Sequence, residues 1–496
     1  MAVTLKEIAE ATNAIMVGAS DTLVSDITNV SSQCLPGSIF VAIKGYKVDG
    51  NNFIDSALKH GAVGVISEKP CPAGFSGNWL QVVDARLALA QASAAIFGYP
   101  SRRLKLVGIT GTNGKTTTAH LVDSMIRAAY GLSAMIGTIS YRIGNEERAA
   151  QHTTPEAPEI QRLLRRAFDA GCRAAVMEAS SHAIDLKRVH GCRFDVAVFT
   201  NLTQDHLDYH LTIDEYFAVK RRLFDGSLGS SPRVAVINVD DPRGAELVKV
   251  SKGRVITYGI YEGADVKTSD FSLSPAGLSF KAETPIGELD IISSLVGRPH
   301  VYNILAAIGA GLALGFDKKV IERGILGCRS VPGRFESVDT EEDFAVIVDY
   351  AHTPDALRNV LQTAREITRR RVITVFGCGG DRDRTKRPIM GAVAGSMSDV
   401  VIVTSDNPRS EDPEAIISEI EDGLRRIGCL YHKITDRRDA IEFAINLALP
   451  GDLVLLAGKG HETYQVLKDR TIDFDDREVA RQALSARHAR HSGVVV

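Results

Sequence analysis

The chain has 496 residues, 44% of them hydrophobic, 24% charged and 6% aromatic, with 58 basic side chains against 61 acidic ones. That composition excludes a disordered or fibrous chain, and the near-neutral balance excludes a basic nucleic-acid-binding domain while leaving local patches able to capture small anions. At about 150 residues per domain the length implies roughly three domains, each able to bury its own core.

Lys6, Glu7 and Glu10 interrupt the first apolar stretch. No run along the chain approaches the ~18 apolar residues of a membrane span, so neither export nor membrane insertion is expected. Short strands are predicted at 38–43 and 64–67, with a helix over 54–60 and an Ala-rich helix over 86–97 that ends at Gly98-Tyr-Pro100. A first domain over 1–101 follows from that punctuation. Next come strand 104–110, helices 116–130 and 156–170, strands 174–179 and 196–201, helix 213–224 and strand 233–239. This alternation predicts an α/β fold with a doubly wound, mostly parallel sheet. Residues 265–295 break the rhythm with short alternating runs, an antiparallel excursion before an apolar helix over 301–314. Val331-Pro-Gly333 marks a second boundary, giving a central domain over 102–331 and a C-terminal domain over 332–496. In the latter, strands 345–350, 372–377, 400–405 and 453–457 with helices 354–367, 413–427 and 437–448 predict a second, Rossmann-like α/β unit.

Between strand 104–110 and helix 116–130 lies Gly111-Thr-Asn-Gly-Lys-Thr-Thr117. Backbone N–H groups of such a turn and of the helix N-terminus bind anionic oxygens, Lys115 neutralises them, and the Thr116 hydroxyl suits Mg²⁺. The usual nucleotide loop has a glycine five residues before Gly114; here that position is Ile109. An ordinary Gly-rich turn therefore remains open on spacing alone.

Functional groups of open α/β sheets gather at the carboxyl ends of strands. Glu178-Ala-Ser-Ser-His182 follows one predicted strand and Thr200-Asn-Leu-Thr-Gln-Asp-His206 another. Glu178 and His206 could complete a Mg²⁺ shell begun by Thr116 and nucleotide phosphates. Taken singly, each is more often a solvated loop residue; beside the phosphate loop the functional reading is the favoured one. In the last domain Asp349 and His352 end a strand, and two glycines with the cations Arg382, Arg384, Lys386 and Arg387 follow another, either an anion site or a solvated basic turn. Thr404-Ser-Asp-Asn-Pro-Arg409 and Ala457-Gly-Lys-Gly-His-Glu462 follow two more, so three loops are expected to form one concave polar surface. The seven cysteines are scattered, form no C-x-x-C pair and are odd in number, which argues against a disulfide framework or a zinc site and for a reducing cytoplasm.

Gly111-Thr-Asn-Gly-Lys-Thr-Thr117, Glu178-Ala-Ser-Ser-His182, Asn201-Leu-Thr-Gln-Asp-His-Leu-Asp-Tyr-His210 and Asp349-Tyr-Ala-His-Thr-Pro354 together resemble the Mur ligase family, in order along nearly the whole chain. The resemblance implies ATP-driven amide formation through an acyl phosphate. Within the family, Asp406-Asn-Pro-Arg409 resembles the signature of members that add meso-diaminopimelate to UDP-N-acetylmuramoyl-L-alanyl-D-glutamate in peptidoglycan synthesis. It further implies that Gly111, Thr112, Asn113, Gly114, Lys115, Thr116, Thr117, Asn303, Arg334 and Asp349 contact ATP. By the same resemblance Thr116, Glu178, His206 and a carbamylated Lys220 ligate Mg²⁺, two ions being expected. Ser31, Tyr46, Lys47, Thr153, Thr154, Ser180 and Arg188 would hold the UDP substrate. Arg382, Asp406, Asn407, Pro408, Arg409, Gly458 and Glu462 would form the amino-acid pocket, the arginines meeting a carboxylate and Glu462 an ammonium. Val30-Ser-Ser32 stands where many relatives have Asp-Ser-Arg, and Leu186 where a glutamine is frequent. The expected partners are these small molecules alone, acting on a cytoplasmic monomer. A lysine-adding relative, a folylpolyglutamate-type synthase and a nucleotide-binding scaffold without catalysis remain the alternatives.

Overall fold

The computed structural model describes all residues except 1, 46–47, 262, 275, 369 and 492–496. Its contacts divide the chain into two compact units, Met1–Lys267 with Thr284–Ile286 and Leu305–Gly324, and Thr268–Glu283 with Gly287–Ile304 and Ile325–Val496. The α/β class read from the sequence is the fold observed.

The first unit contains two separate α/β sheets. The smaller runs Ile15–Val17, Asn78–Gln81, Gly64–Ser67, Ser38–Ala42, Asp26–Thr28, parallel except for the first strand. Helix Ala85–Ile96 packs on it through Ala88, Leu89, Ala92 and Ile96, and Asp84 caps that helix by accepting from the Leu87 N–H. The larger sheet has nine strands, seven of them in parallel order: Ala134–Ile136, Ala174–Glu178, Lys105–Thr110, Val196–Phe199, Val234–Asn238, Arg254–Gly259 and Val266–Lys267. Ser140–Ile143 and Glu146–Ala149 extend one edge antiparallel. From Lys105–Thr110 the chain goes out to Ala134–Ile136, returns to Ala174–Glu178, then crosses to Val196–Phe199 on the other side. The direction of winding thus reverses at Lys105–Thr110, and the crevice at such a switch point is where open sheets bind ligands.

The second unit is built on the order Glu336–Val338, Ala345–Asp349, Leu453–Ala457, Val372–Phe376, Val400–Val403, Tyr431–Lys433, parallel but for the first strand. Leu453–Ala457, Val372–Phe376 and Val400–Val403 are neighbours, so the three polar loops that follow them share one end of the sheet. The antiparallel excursion is the sheet Phe271–Ser274, Gly277–Ala282, Leu289–Ser293.

Several elements lie outside the sequence prediction. The most consequential is helix Lys386–Met397, which begins inside the segment read as a basic loop. Its glycines and alanines conceal its periodicity; Gly391 and Gly423 let it approach helix Pro413–Ile427 so closely that an added Cβ would lie 2.2 Å from the Ile420 carbonyl and 1.9 Å from that of Pro388. Arg387 on its first turn is fully buried, so the solvated-turn alternative does not hold for all four cations. It holds Glu411 through two nitrogens (2.8 and 2.9 Å), Glu419 (2.9 Å) and the Gly379 carbonyl (3.3 Å).

A second buried ion pair anchors the other side of that sheet. Arg437 and Asp476, neither of them exposed, pair at 2.6 and 2.8 Å, and Arg437 donates to the Ala457 carbonyl at 3.0 Å. Removing one member leaves a buried charge without its partner, which costs about 3–5 kcal/mol, whereas an apolar pair of similar volume is close to neutral. Asp476→Ala should therefore lose that stability in urea unfolding, and Arg437→Met combined with Asp476→Leu should recover most of it.

Candidate active site

Helix Lys115–Tyr130 starts at Gly114 with no side-chain cap, and a helix N-terminus of this kind favours an anion. Gly111 has φ +146° and a Cβ there would lie 1.9 Å from Thr200 Oγ1, so only glycine lets the loop turn against the neighbouring strand end. Asn201 and Thr200 brace the turn, the Asn113 N–H donating to Asn201 Oδ1 at 2.9 Å and Thr200 Oγ1 to the Asn113 carbonyl at 2.6 Å. The Lys115 ammonium folds onto the Gly111 and Thr112 carbonyls at 2.9 and 2.8 Å. Thr116 and Thr117 are buried on the first helical turn.

Glu178, 1% exposed, sits at the tip of the adjacent strand. It accepts from the Thr138 N–H (2.8 Å), Thr138 Oγ1 (3.0 Å) and Thr116 Oγ1 (3.0 Å). Thr153 reaches Thr138 at 3.2 Å; Thr154 donates to the Glu178 carbonyl at 2.7 Å and lies 3.2 Å from Ser180 Oγ. Arg188 donates to the Thr154 carbonyl at 2.9 Å and pairs with Glu156. The loop, Glu178 and four of the residues expected to hold the UDP substrate are therefore one connected polar surface. Ser31, on the turn Ser31–Gln33, is joined by no hydrogen bond to that surface among the described residues. Tyr46 and Lys47 lie outside the described residues.

Lys220, 1% exposed on helix Ile213–Arg221, donates to the same Gly111 carbonyl at 2.8 Å and packs 4.3 Å from the Tyr216 ring centroid. Burial, with the Lys115 charge adding to it, holds its pKa well below that of an ordinary lysine. His206, with φ +53°, packs edge-on against His182 (4.9 Å) and Tyr216 (6.1 Å), and Tyr216 in turn reaches Thr112 at 3.4 Å. His210 contacts Ser181 at 2.9 Å, and desolvation lowers its pKa to about 4, so it is neutral near pH 7. Among the described residues no three His, Cys, Asp or Glu side chains converge as a metal site.

In the second unit two clusters form. Asn303 meets His300 at 3.3 Å; the His300 ring is bonded by the Arg334 backbone, while burial keeps its pKa near 4. Asp349 accepts from the N–H groups of Phe335 (2.7 Å) and Ala351 (2.8 Å) beside Arg334, and desolvation still raises its pKa. Asn303, Arg334 and Asp349, far apart in sequence, thus come together. The other cluster joins the loops after Val400–Val403 and Leu453–Ala457: Asn407 Nδ2 donates to Glu462 Oε2 at 2.8 Å, and Gly458, with φ +115°, leaves space that a Cβ would fill 2.7 Å from Asp406 Oδ2. Arg409, in the left-handed region with φ +52°, donates to the Gly380 carbonyl at 2.8 Å and points its guanidinium across Gly379. Pro408 is buried, and Arg382 is exposed on the neighbouring loop.

Two residues of these sites escaped the sequence reading. Thr138 follows a strand of only three residues, too short to register as apolar periodicity. Lys459 was visible within Gly-Lys-Gly-His-Glu but carried no assignment; it is fully buried between Asn407 and Glu462.

Comparison with known proteins identifies the family of the chain. Residues 24–96 match the Mur ligase family, catalytic domain, 109–311 the Mur ligase middle domain and 333–460 the Mur ligase, glutamate ligase domain. A curated relative from Solibacter usitatus, named UDP-N-acetylmuramoyl-L-alanyl-D-glutamate–2,6-diaminopimelate ligase, is 50% identical over 465 residues, covering 94% of each chain. A solved structure with the same ligase name is 34% identical and superposes with a TM-score of 0.72 over 98% of this chain and 100% of its own. The MurF ligase of Thermotoga maritima, solved in complex with ADP, shares the fold at 19% identity, with a TM-score of 0.64 over 94% of this chain and 99% of its own. On these matches, which cover all three segments of the chain in order, the protein belongs to the Mur ligase family.

Proposed function

We propose that the protein is an ATP-dependent ligase that adds meso-diaminopimelate to UDP-N-acetylmuramoyl-L-alanyl-D-glutamate in peptidoglycan synthesis. The observation that carries the substrate choice is Arg409, held by the Gly380 carbonyl beside the Asn407–Glu462 pair. Diaminopimelate brings a distal carboxylate and ammonium together, and a guanidinium next to a carboxylate is the complementary pair. The names of relatives such as the Solibacter protein support the same reading. We retain the three-domain division at 101 and 331, and a cytoplasmic monomer, as parts of this proposal. Among the described residues no helix is long and apolar enough to cross a membrane.

Transfer of a phosphoryl group between two anions depends on alignment and charge neutralisation more than on a protein nucleophile. The uncapped N-terminus of helix Lys115–Tyr130 and the N–H groups around Gly111–Gly114 would hold the nucleotide phosphates. Lys115, now turned onto two loop carbonyls, would swing to them. Asn303, Arg334 and Asp349 are the further residues proposed to contact the nucleotide. A carboxylate oxygen of the acceptor then bonds to the γ-phosphorus as the bond to the ADP oxygen breaks. The amine attacks the resulting acyl phosphate carbon, the C–O bond to phosphate breaks, and the amine proton is lost as inorganic phosphate leaves. Thr154, Ser180 and Arg188 would fix the acceptor against this centre.

The donor set suits Mg²⁺, which supplies charge neutralisation when bound: Thr116 and Glu178 present hard oxygens already oriented by Thr138. The chain alone gives only part of a shell, leaving room for phosphate oxygens, His206 and a modified Lys220, with two ions as the number proposed. Lys220 fits modification because an amine attacks CO₂ only when unprotonated, and burial, with the Lys115 charge adding to it, lowers its pKa in the direction that favours that form. Addition of CO₂ to Nζ releases one proton and converts a donor into an anionic oxygen ligand.

Two outcomes follow. Arg409→Ala should lower kcat/KM for meso-diaminopimelate by about 10²-fold or more, since losing one member of a recognised charge pair costs about 2–5 kcal/mol. Phosphate release with the UDP-dipeptide and a panel of diaminopimelate, lysine, ornithine and alanine reads this, and undiminished diaminopimelate use by the variant refutes the pocket. For Lys220, enzyme prepared in CO₂-depleted buffer near pH 7.5 should lose most activity and regain it with bicarbonate. ¹³C-bicarbonate should give a carbamate NMR signal absent from Lys220→Ala.

A further inference from the structure

The loop after Leu453–Ala457 carries a lysine with no exposed surface. Lys459 Nζ lies 3.2 Å from Asn407 Oδ1 and 3.2 Å from Glu462 Oε2, with the Tyr464 ring centroid at 5.8 Å. Asn407 is itself fixed, its Oδ1 also accepting from the Val466 N–H at 2.9 Å. Its Nδ2 donates at 2.8 Å to Glu462 Oε2, the same oxygen that Lys459 reaches. Two donors therefore converge on one carboxylate oxygen, and among the described residues Oε1 accepts no hydrogen bond. The Glu462 side chain keeps 16% of its surface exposed, whereas Lys459 keeps none. Below the loop, Arg437 grips the Ala457 carbonyl and so fixes the residue from which Gly458 and Lys459 depart.

From this triangle we infer that Lys459 is a positioning residue for amino-acid recognition: it orients Glu462 so that Oε1 faces the incoming ammonium. The inference rests on the reading of 406–409 and 458–462 as the amino-acid pocket. A glutamate carboxylate rotates freely about its terminal bond, and anchoring Oε2 from below selects the rotamer that presents Oε1 outward. Asn407 alone supplies one such donor but no charge. Lys459 pairs with Glu462 at 3.2 Å, so this carboxylate is held by a charge as well as by the Asn407 amide. Lys459 is too deep to touch the substrate, so its effect passes through Glu462. Losing it should weaken binding of the amine without disturbing phosphoryl transfer.

Steady-state phosphate release by the full-length protein, with KM measured for each of the three substrates, tests this in Lys459→Met, Lys459→Gln, Glu462→Gln and the Lys459→Met/Glu462→Gln double variant. Lys459→Met should raise KM for meso-diaminopimelate about tenfold, with kcat within about threefold and KM for ATP and the UDP-dipeptide unchanged. Lys459→Gln, which keeps a donor but no charge, should fall between. Because the lysine acts through Glu462, adding Lys459→Met to Glu462→Gln should change that KM by less than about twofold. The inference is overturned if Lys459→Met leaves the diaminopimelate KM unchanged, raises all three KM values together, or adds fully to Glu462→Gln. Where Lys459→Met does not fold, the glutamine variant alone and with Glu462→Gln decides by the same outcomes. If Glu462→Gln itself leaves the diaminopimelate KM unchanged, the pocket assignment falls and takes this inference with it; a rise there with no response at Lys459 removes only the inference.

Discussion

A parallel sheet covered by helices on both faces has little place for charged side chains in the middle of its strands, and that constraint organises this protein. Leu106, Val107 and Ile109 in one strand, Ala175, Val176 and Met177 in the next and Ala197, Val198 and Phe199 in the third are all fully buried. The polar groups are displaced to the loops at the carboxyl ends. There the strand order sets which loops meet. Glu178 can accept from Thr116 and Thr138 because Ala174–Glu178 lies between Ala134–Ile136 and Lys105–Thr110.

The same constraint shapes the electrostatics. The Gly111 carbonyl is shared by two lysines, Lys115 and Lys220, an arrangement that two full charges would oppose in a dry site. Burial first and the Lys115 charge after it hold the Lys220 pKa well below that of an ordinary lysine. In the second unit the buried cations Arg387, Arg437 and Lys459 each sit against carboxylates, and each ties one pocket loop to another part of the sheet. Arg387 locks the loop after Val372–Phe376 to the segment following Arg409 through Glu411.

Much of this was legible in the sequence. The apolar runs mark the strands of both large sheets, and the loop motifs at their ends mark Lys115, Glu178, Asn407 and Arg409. What escaped had physical reasons. Thr138 follows a strand of three residues, and helix Lys386–Met397 is so rich in glycine and alanine that its buried face does not stand out. Arg387 and Lys459 belong to residue types that are normally solvated, and only the acids brought beside them by folding make their burial possible.

The sequence by itself determined the strand and helix periodicity, the positions of the polar loops and the kind of chemistry that their residues can perform, because these depend on spacing within a few residues. The tertiary structure decided which loops become neighbours. Asn303 reaches the Arg334 backbone through His300, Lys220 meets Gly111 across 109 residues, and Lys459 fills the space between Asn407 and Glu462. Such contacts follow from strand order and from the balance of desolvation against pairing, and neither is written in local sequence.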